Sequence, residues 1–175
     1  MSDESPIWRR ILVVGGGGAG KSTVAAEIAH RLGLPLIHLD QHYWMSGWVP
    51  TDLDRWRAQL SRLAAQPAWV MDGNYSRSLD VRLPRAQHVV FLDLPRRVTI
   101  PRVLWRTWRW RGRSRPDMAS GCPERITLEF LQWIWRYPRD GRQRVLSAIG
   151  DAGAESRVVH LSSRRAVRRW LTALS

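Results

Sequence analysis

Gly15-Gly16-Gly17-Gly18-Ala19-Gly20-Lys21-Ser22 contains the chain's only lysine; every other basic residue among 28 is an arginine. Ile11-Leu12-Val13-Val14 precedes it, an apolar run suited to a strand buried in a parallel sheet. After it, Val24, Ile28 and Leu32 fall at i, i+4 and i+8 along one face of a helix. Strand, glycine loop, lysine, hydroxyl and helix thus stand in the order of a Gly-x-x-x-x-Gly-Lys-Ser phosphate loop. In such a loop Gly15, Gly16, Gly17, Gly18, Ala19 and Gly20 let successive N–H groups turn inward. The start of the helix adds its positive dipole end. A compact ammonium at position 21 reaches the β- and γ-phosphates of a nucleoside triphosphate, where a planar guanidinium fits poorly. Ser22 is the expected Mg²⁺ ligand, with Thr23 beside it at the nucleotide.

Outward from the loop, five strands are expected at residues 11–14, 35–39, 68–72, 89–92 and 157–161, alternating with helical segments. That alternation predicts a three-layer α/β/α fold with a five-stranded parallel sheet. Thr51-Asp52-Leu53-Asp54 reads as a capping box opening a helix to about Ala65, with Leu53, Trp56, Leu60 and Leu63 as its apolar side. Pro95 suits the first turn of a helix that Pro101 should kink or delay. Residues 124–137 read as one helix stopped by Pro138, and a last helix begins near Ser163.

A chain of 175 residues has room for one such domain. No apolar run approaches the roughly 20 residues of a membrane span. The acidic, polar residues 1–6 are unlike a signal peptide, so a cytoplasmic setting is expected. The single cysteine, Cys122, excludes an internal disulfide framework. The formal charge is +13 with a pI near 11.6. Arginines that surround polyphosphate, non-specific attraction to nucleic acid, and simple solvation each account for such a charge. Residues 96–115 concentrate it, with eight arginines and no acid. Arg102, Arg106, Arg109 and Arg113 recur there at helical spacing. Gly112, within Arg111-Gly112-Arg113-Ser114-Arg115, suggests a hinged cover instead. Such a lid, at about residues 106–122, would bring Arg106, Arg109, Arg113 and Arg115 over phosphates.

Phosphoryl transfer depends on positioning, Mg²⁺ and mobile cations, so strand-end carboxylates are the next candidates. Asp72 closes Ala68-Trp69-Val70-Met71 at the end where open α/β sheets place their sites, and is read as the partner of the Mg²⁺ water shell. Asp40 closes Leu36-Ile37-His38-Leu39 in the same way, and Asp40-Gln41-His42-Tyr43 resembles the Asp-x-Phe-Tyr element of uridine kinases. There the carboxylate faces the acceptor hydroxyl and can take or orient its proton. His38 and His42 are read as packing or hydrogen-bonding residues. Tyr43, Trp44, Trp48, Trp133 and Trp135 are candidates to line an acceptor pocket, Asn74 and Tyr75 to hydrogen-bond the acceptor, and Arg77 and Arg82 to bind an anionic group on it.

Taken together, these motifs resemble the DNA topology modulation proteins, small P-loop proteins related to adenylate and shikimate kinases. The resemblance rests on residues 15–23, His38-Leu39-Asp40 with Trp44 and Gly47-Trp48, and Asp72-Gly73-Asn74-Tyr75 with Leu79-Asp80-Val81-Arg82. It continues through Phe91-Leu92-Asp93-Leu94-Pro95-Arg96, Arg111-Gly112-Arg113-Ser114-Arg115-Pro116-Asp117-Met118, Gly121-Cys122-Pro123-Glu124 and Phe130-Leu131-Gln132-Trp133-Ile134-Trp135. It implies a nucleoside-monophosphate-kinase-like P-loop fold with an arginine-bearing lid, using ATP and Mg²⁺ on a small acceptor, a nucleotide or nucleoside. By analogy with related kinases, the loop at Ser162 and Arg164 would border the adenine. Adenylate kinases carry Asp-Gly-Phe-Pro-Arg after the third strand. Here Asp72-Gly73 leads into Asn74-Tyr75-Ser76-Arg77, which argues against AMP as the acceptor. A nucleotide-regulated DNA- or RNA-binding protein and an acceptor-independent ATPase are the competing readings.

Overall fold

A computed structural model describes residues 8–174. Strand β1 (Arg10–Gly15) runs into the glycine loop and helix α1 (Lys21–Leu32). Then come β2 (Leu36–His38), the short α2 (Leu39–Tyr43), and the two-residue strands β3 (Trp44–Met45) and β4 (Val49–Pro50). They are followed by α3 (Leu53–Ala64), β5 (Trp69–Asp72), α4 (Leu79–Arg82) and β6 (His88–Leu92). The remainder is α5 (Arg96–Arg109), α6 (Leu128–Arg136), α7 (Gly141–Asp151), β7 (Val158–Leu161) and α8 (Arg164–Thr172).

The five long strands form one parallel sheet in the order β2-β5-β1-β6-β7. Strand alternation sorts the core onto its two faces. Leu12 and Val14 of β1 join Trp56 and Leu60 of α3 and Val145 and Ile149 of α7 on one side. Ile11 and Val13 join Val24 and Ile28 of α1 on the other, where Val167, Trp170 and Leu171 of α8 pack against them. Parallel register sets Val13 beside Asp72, Asp72 beside His38, and Gly15 beside Leu92. The glycine loop, Asp72 and His38 therefore meet at the carboxyl edge of the sheet.

Several local expectations change. Asp52, not Thr51, caps α3, accepting from the N–H groups of Asp54 and Arg55 at 3.1 Å, while the Thr51 hydroxyl donates to the Tyr43 carbonyl. Leu53, expected on the apolar side, is exposed. Pro101 lies inside α5 without ending it. The hydrogen bond it cannot donate would go to the Arg97 carbonyl, on an exposed residue where water can serve. The helix expected over residues 124–137 starts only at Leu128, capped by the Thr127 hydroxyl. Of the residues before it, Glu124 instead bonds Arg106 and Arg115. Helix α7 and the β3–β4 ribbon were not expected.

Candidate functional site

The loop after β1 closes around its own lysine. The Lys21 ammonium donates to the Gly16 carbonyl at 3.0 Å, and the Ala19 N–H reaches the same oxygen at 3.3 Å. Gly18 has φ +76° and Gly20 φ +92°, the left-handed region that admits glycine freely. Neighbouring helices crowd the loop. A Cβ on Gly16 or Gly17 would meet the ring of Tyr137 or Trp133 at 2.9 Å, and one on Gly18 would collide with the Thr99 carbonyl. Burial lowers the Lys21 pKa, Asp40 and Asp72 oppose that shift, and Arg106 and Arg115 reinforce it. The ammonium thus lies within the field of Arg106, Arg115 and two carboxylates, Asp72 at the end of β5 and Asp40. Asp40 lies in α2 and not at the strand end expected for it, because β2 stops at His38.

The two carboxylates differ in their partners. Asp40 accepts from the Tyr75 hydroxyl at 2.5 Å. Burial raises its pKa against the opposing pull of that hydrogen bond and of Lys21. Asp72 is 5% exposed and bonds the His38 Nδ1 at 2.6 Å through Oδ1. Burial alone would lower the His38 pKa, but the hydrogen bond to Asp72 and its charge outweigh that and raise it. His38 is thus a hydrogen-bonding residue, as expected, but one that holds the candidate metal carboxylate.

A cavity of about 890 Å³ opens beside the loop. Its walls include Gly18 to Val24, with Lys21, Ser22 and Thr23, together with His38, Arg102 and Arg106. The lid gives Arg115 and Asp117; α8 contributes Arg164 and Arg168. Arg102 also reaches the Ala19 carbonyl at 3.3 Å. Mg²⁺ usually takes one or two carboxylates along with waters and substrate phosphates. The donors fit that pattern for a carboxylate acting through water: Ser22 lines the cavity, while Asp72 is not among its lining residues but keeps Oδ2 without a hydrogen-bond partner among the described residues.

Other candidates are placed elsewhere. Arg82 is fully buried, donating to the carbonyls of Gly73, Asn74 and Tyr75 at 2.9, 2.9 and 3.2 Å. It staples the strand-end loop and is not available to an acceptor anion. Burial lowers its pKa to about 10, which leaves it charged at neutral pH. Arg77 is exposed. Arg109 stacks over Trp105 at 5.5 Å, and exposed Arg113 uses its backbone to tie the lid; neither lines the cavity. Trp44 and Trp48 pack with Met118, Ala119 and Cys122, anchoring the lid base rather than lining the cavity. Tyr43 packs against Trp56 and Tyr75. Asn74 borders a smaller hollow near Tyr137, and Ser162 is exposed outside the large cavity.

Glu124 was missed by the sequence reading, which placed it on a helix. It is 5% exposed and accepts from Arg106 Nε at 3.0 Å, Arg115 Nε at 2.7 Å and the Thr107 hydroxyl at 3.3 Å. Its position as the first acid after Asp117 at the end of the arginine segment was the available signal.

Solved structures place this arrangement. Shikimate kinase from Aquifex aeolicus superposes with a TM-score of 0.57 at 16% identity, over 94% of this chain and 95% of that one. A gluconokinase from Sinorhizobium meliloti gives 0.53 at 25% identity, over 95% and 91%. The chain has the P-loop kinase fold. No family model matches it. In sequence, the uncharacterized protein YqaC of Bacillus subtilis is 24% identical over 137 residues, 77% of this chain and 76% of that protein. No helix among the described residues is long and apolar enough to cross a membrane.

Proposed function

We propose that this chain is a Mg²⁺-dependent kinase that moves the γ-phosphate of ATP onto a hydroxyl of a small acceptor. The observation that carries the reading is the convergence on Lys21. A single half-buried ammonium closes the glycine loop within the field of Asp40, Asp72, Arg106 and Arg115. In this reading the loop amides and Lys21 hold the β- and γ-phosphates, and Ser22 and Asp72 are the residues that would hold Mg²⁺. Mg²⁺ bound there would offset phosphate charge. Asp40 takes the proton of the acceptor hydroxyl as that oxygen bonds to the γ-phosphorus. The bond from that phosphorus to the β,γ-bridging oxygen breaks, and its electron pair leaves with ADP. The raised pKa of Asp40 suits a proton acceptor. Arg106 and Arg115, joined by Arg102, follow the charge on the transferred group. Arg164 borders the nucleotide from α8.

The motif resemblance supports placing the chain with the topology modulation proteins, as one cytoplasmic domain whose lid spans about residues 106–122. Tyr75, bonded to Asp40, remains the acceptor-side candidate. Since the structural neighbours include kinases of shikimate and gluconate, the acceptor screen should span hydroxy acids and sugars as well as nucleosides and nucleotides.

The test is ADP release across that panel, measured for wild type, Lys21→Ala and Asp40→Asn. One acceptor class should accelerate release in the wild type, and each substitution should lower that rate by about 100-fold or more. Release that no acceptor changes would overturn the transfer reading.

A further inference from the structure

We propose that Glu124 is a positioning residue that aims Arg106 and Arg115 at the terminal phosphate, making the cavity select a triphosphate over a diphosphate. This rests on the nucleotide reading of the cavity and extends it to a residue outside the phosphate loop.

Glu124 takes both guanidinium groups by the same edge. Its Oε1 accepts from Arg106 Nε and its Oε2 from Arg115 Nε. Arg115 uses one terminal nitrogen on Asp117 Oδ2, at 2.8 Å. Both Nη groups of Arg106 and Nη2 of Arg115 have no hydrogen-bond partner among the described residues, and both side chains line the large cavity. A guanidinium held at Nε keeps its terminal nitrogens for a second anion.

The charge pattern points the same way. Two guanidiniums beside one another repel: after burial, Arg115 is the next influence lowering the Arg106 pKa, and Glu124 opposes it. One shared carboxylate lets both cations stand at the cavity wall while it is empty. Glu124 is itself fixed from independent directions. Its N–H donates to the Arg113 carbonyl at 2.9 Å, and the lid just before it is pinned by Cys122, Met118 and Ala119 against Trp44 and Trp48. Such pre-ordered cations need no rearrangement when phosphate charge arrives.

A simple lid brace predicts something different. It would stabilise the lid without distinguishing nucleotides by their last phosphate, so the ratio of ATP to ADP affinity separates the two roles. Calorimetry with Mg·ATP and Mg·ADP should compare wild type, Glu124→Gln, Glu124→Asp and Arg106→Lys, each checked for native circular dichroism. Glu124→Gln should weaken ATP about tenfold or more while ADP changes less than about threefold. Glu124→Asp, which keeps the charge on a shorter arm, should recover part of the ratio. Arg106→Lys leaves the Glu124–Arg115 pair in place and removes one fork, so it should lose the ratio even if the glutamine variant does not fold. An ATP-to-ADP ratio unmoved in Glu124→Gln, or in Arg106→Lys where the former is unfolded, overturns this role and leaves the nucleotide site standing. Wild type that binds neither nucleotide overturns both.

Discussion

Arg82 meets three backbone carbonyls with one charge, and so fixes the Gly73-Asn74-Tyr75 turn that presents Tyr75 to Asp40. Arg82→Met should cost roughly 3 kcal/mol in urea unfolding, because carbonyls are left without donors in a buried site. It should also weaken acceptor use more than nucleotide binding. His38 gives a second test. Its pKa lies above the ordinary 6.5 because Asp72 outweighs burial, so the pair stabilises the fold below about pH 6.5 and loses that contribution as pH rises through the folded midpoint. An NMR titration should place His38 above 6.5 in the wild type and lower in Asp72→Asn, where only the weaker fields of Asp117 and Asp40 still oppose burial. A midpoint unmoved by that substitution would remove Asp72 as the cause. Asp72 was legible in the sequence because it closes an apolar strand, and Asp40 because it follows one closely, although the chain turns into α2 before reaching it. The role of Arg82 was not: nothing local distinguishes an arginine that tertiary packing will bury, and Glu124 carried only its place after the arginine segment as a signal.

The elements show a similar divide. Short apolar runs disclosed all five sheet strands, and the i, i+4 pattern disclosed α1. Helix α7 was missed because Gly141 and Gly150 at its ends mask the Val145–Ile149 pair. The false start at Glu124 arose because residues 124–127 match a helix in composition, while Glu124 is held by Arg106, Arg115 and the Arg113 carbonyl and Thr127 caps α6. Glycines of similar φ should behave differently by element. Gly33 ends α1 at φ +62° with nothing within 4 Å of an added Cβ, whereas Gly18, at φ +76°, would drive one into Thr99 of α5. Gly33→Ala should cost about 1 kcal/mol and leave nucleotide binding intact. Gly18→Ala should cost roughly 3 kcal/mol or more and abolish that binding. Equal effects in chemical unfolding and nucleotide titration would contradict the packing of α5 against the loop.

Across the whole molecule, a β1 strand paired on both sides carries the glycine loop from the middle of the sheet, and the lid and α8 approach it from opposite chain segments. The order of strands follows from neither periodicity nor composition, and was reachable only through the motif resemblance. The arginine excess divides by location. Arg102, Arg106, Arg115, Arg164 and Arg168 turn to the cavity, while Arg109, Arg111 and Arg113 stay exposed. Charge that looked like one basic segment is thus split between a site and a solvated surface. The central claim is that one ammonium and the amides of the first helix hold a triphosphate. Calorimetric titration of Mg·ATP into the folded protein tests it most directly. Saturable one-to-one uptake, weakened about 100-fold or more in a Lys21→Ala variant of native circular dichroism, is the predicted result. Folded wild type that takes up neither ATP nor GTP, or a Lys21→Ala variant that binds as well as wild type, would contradict it.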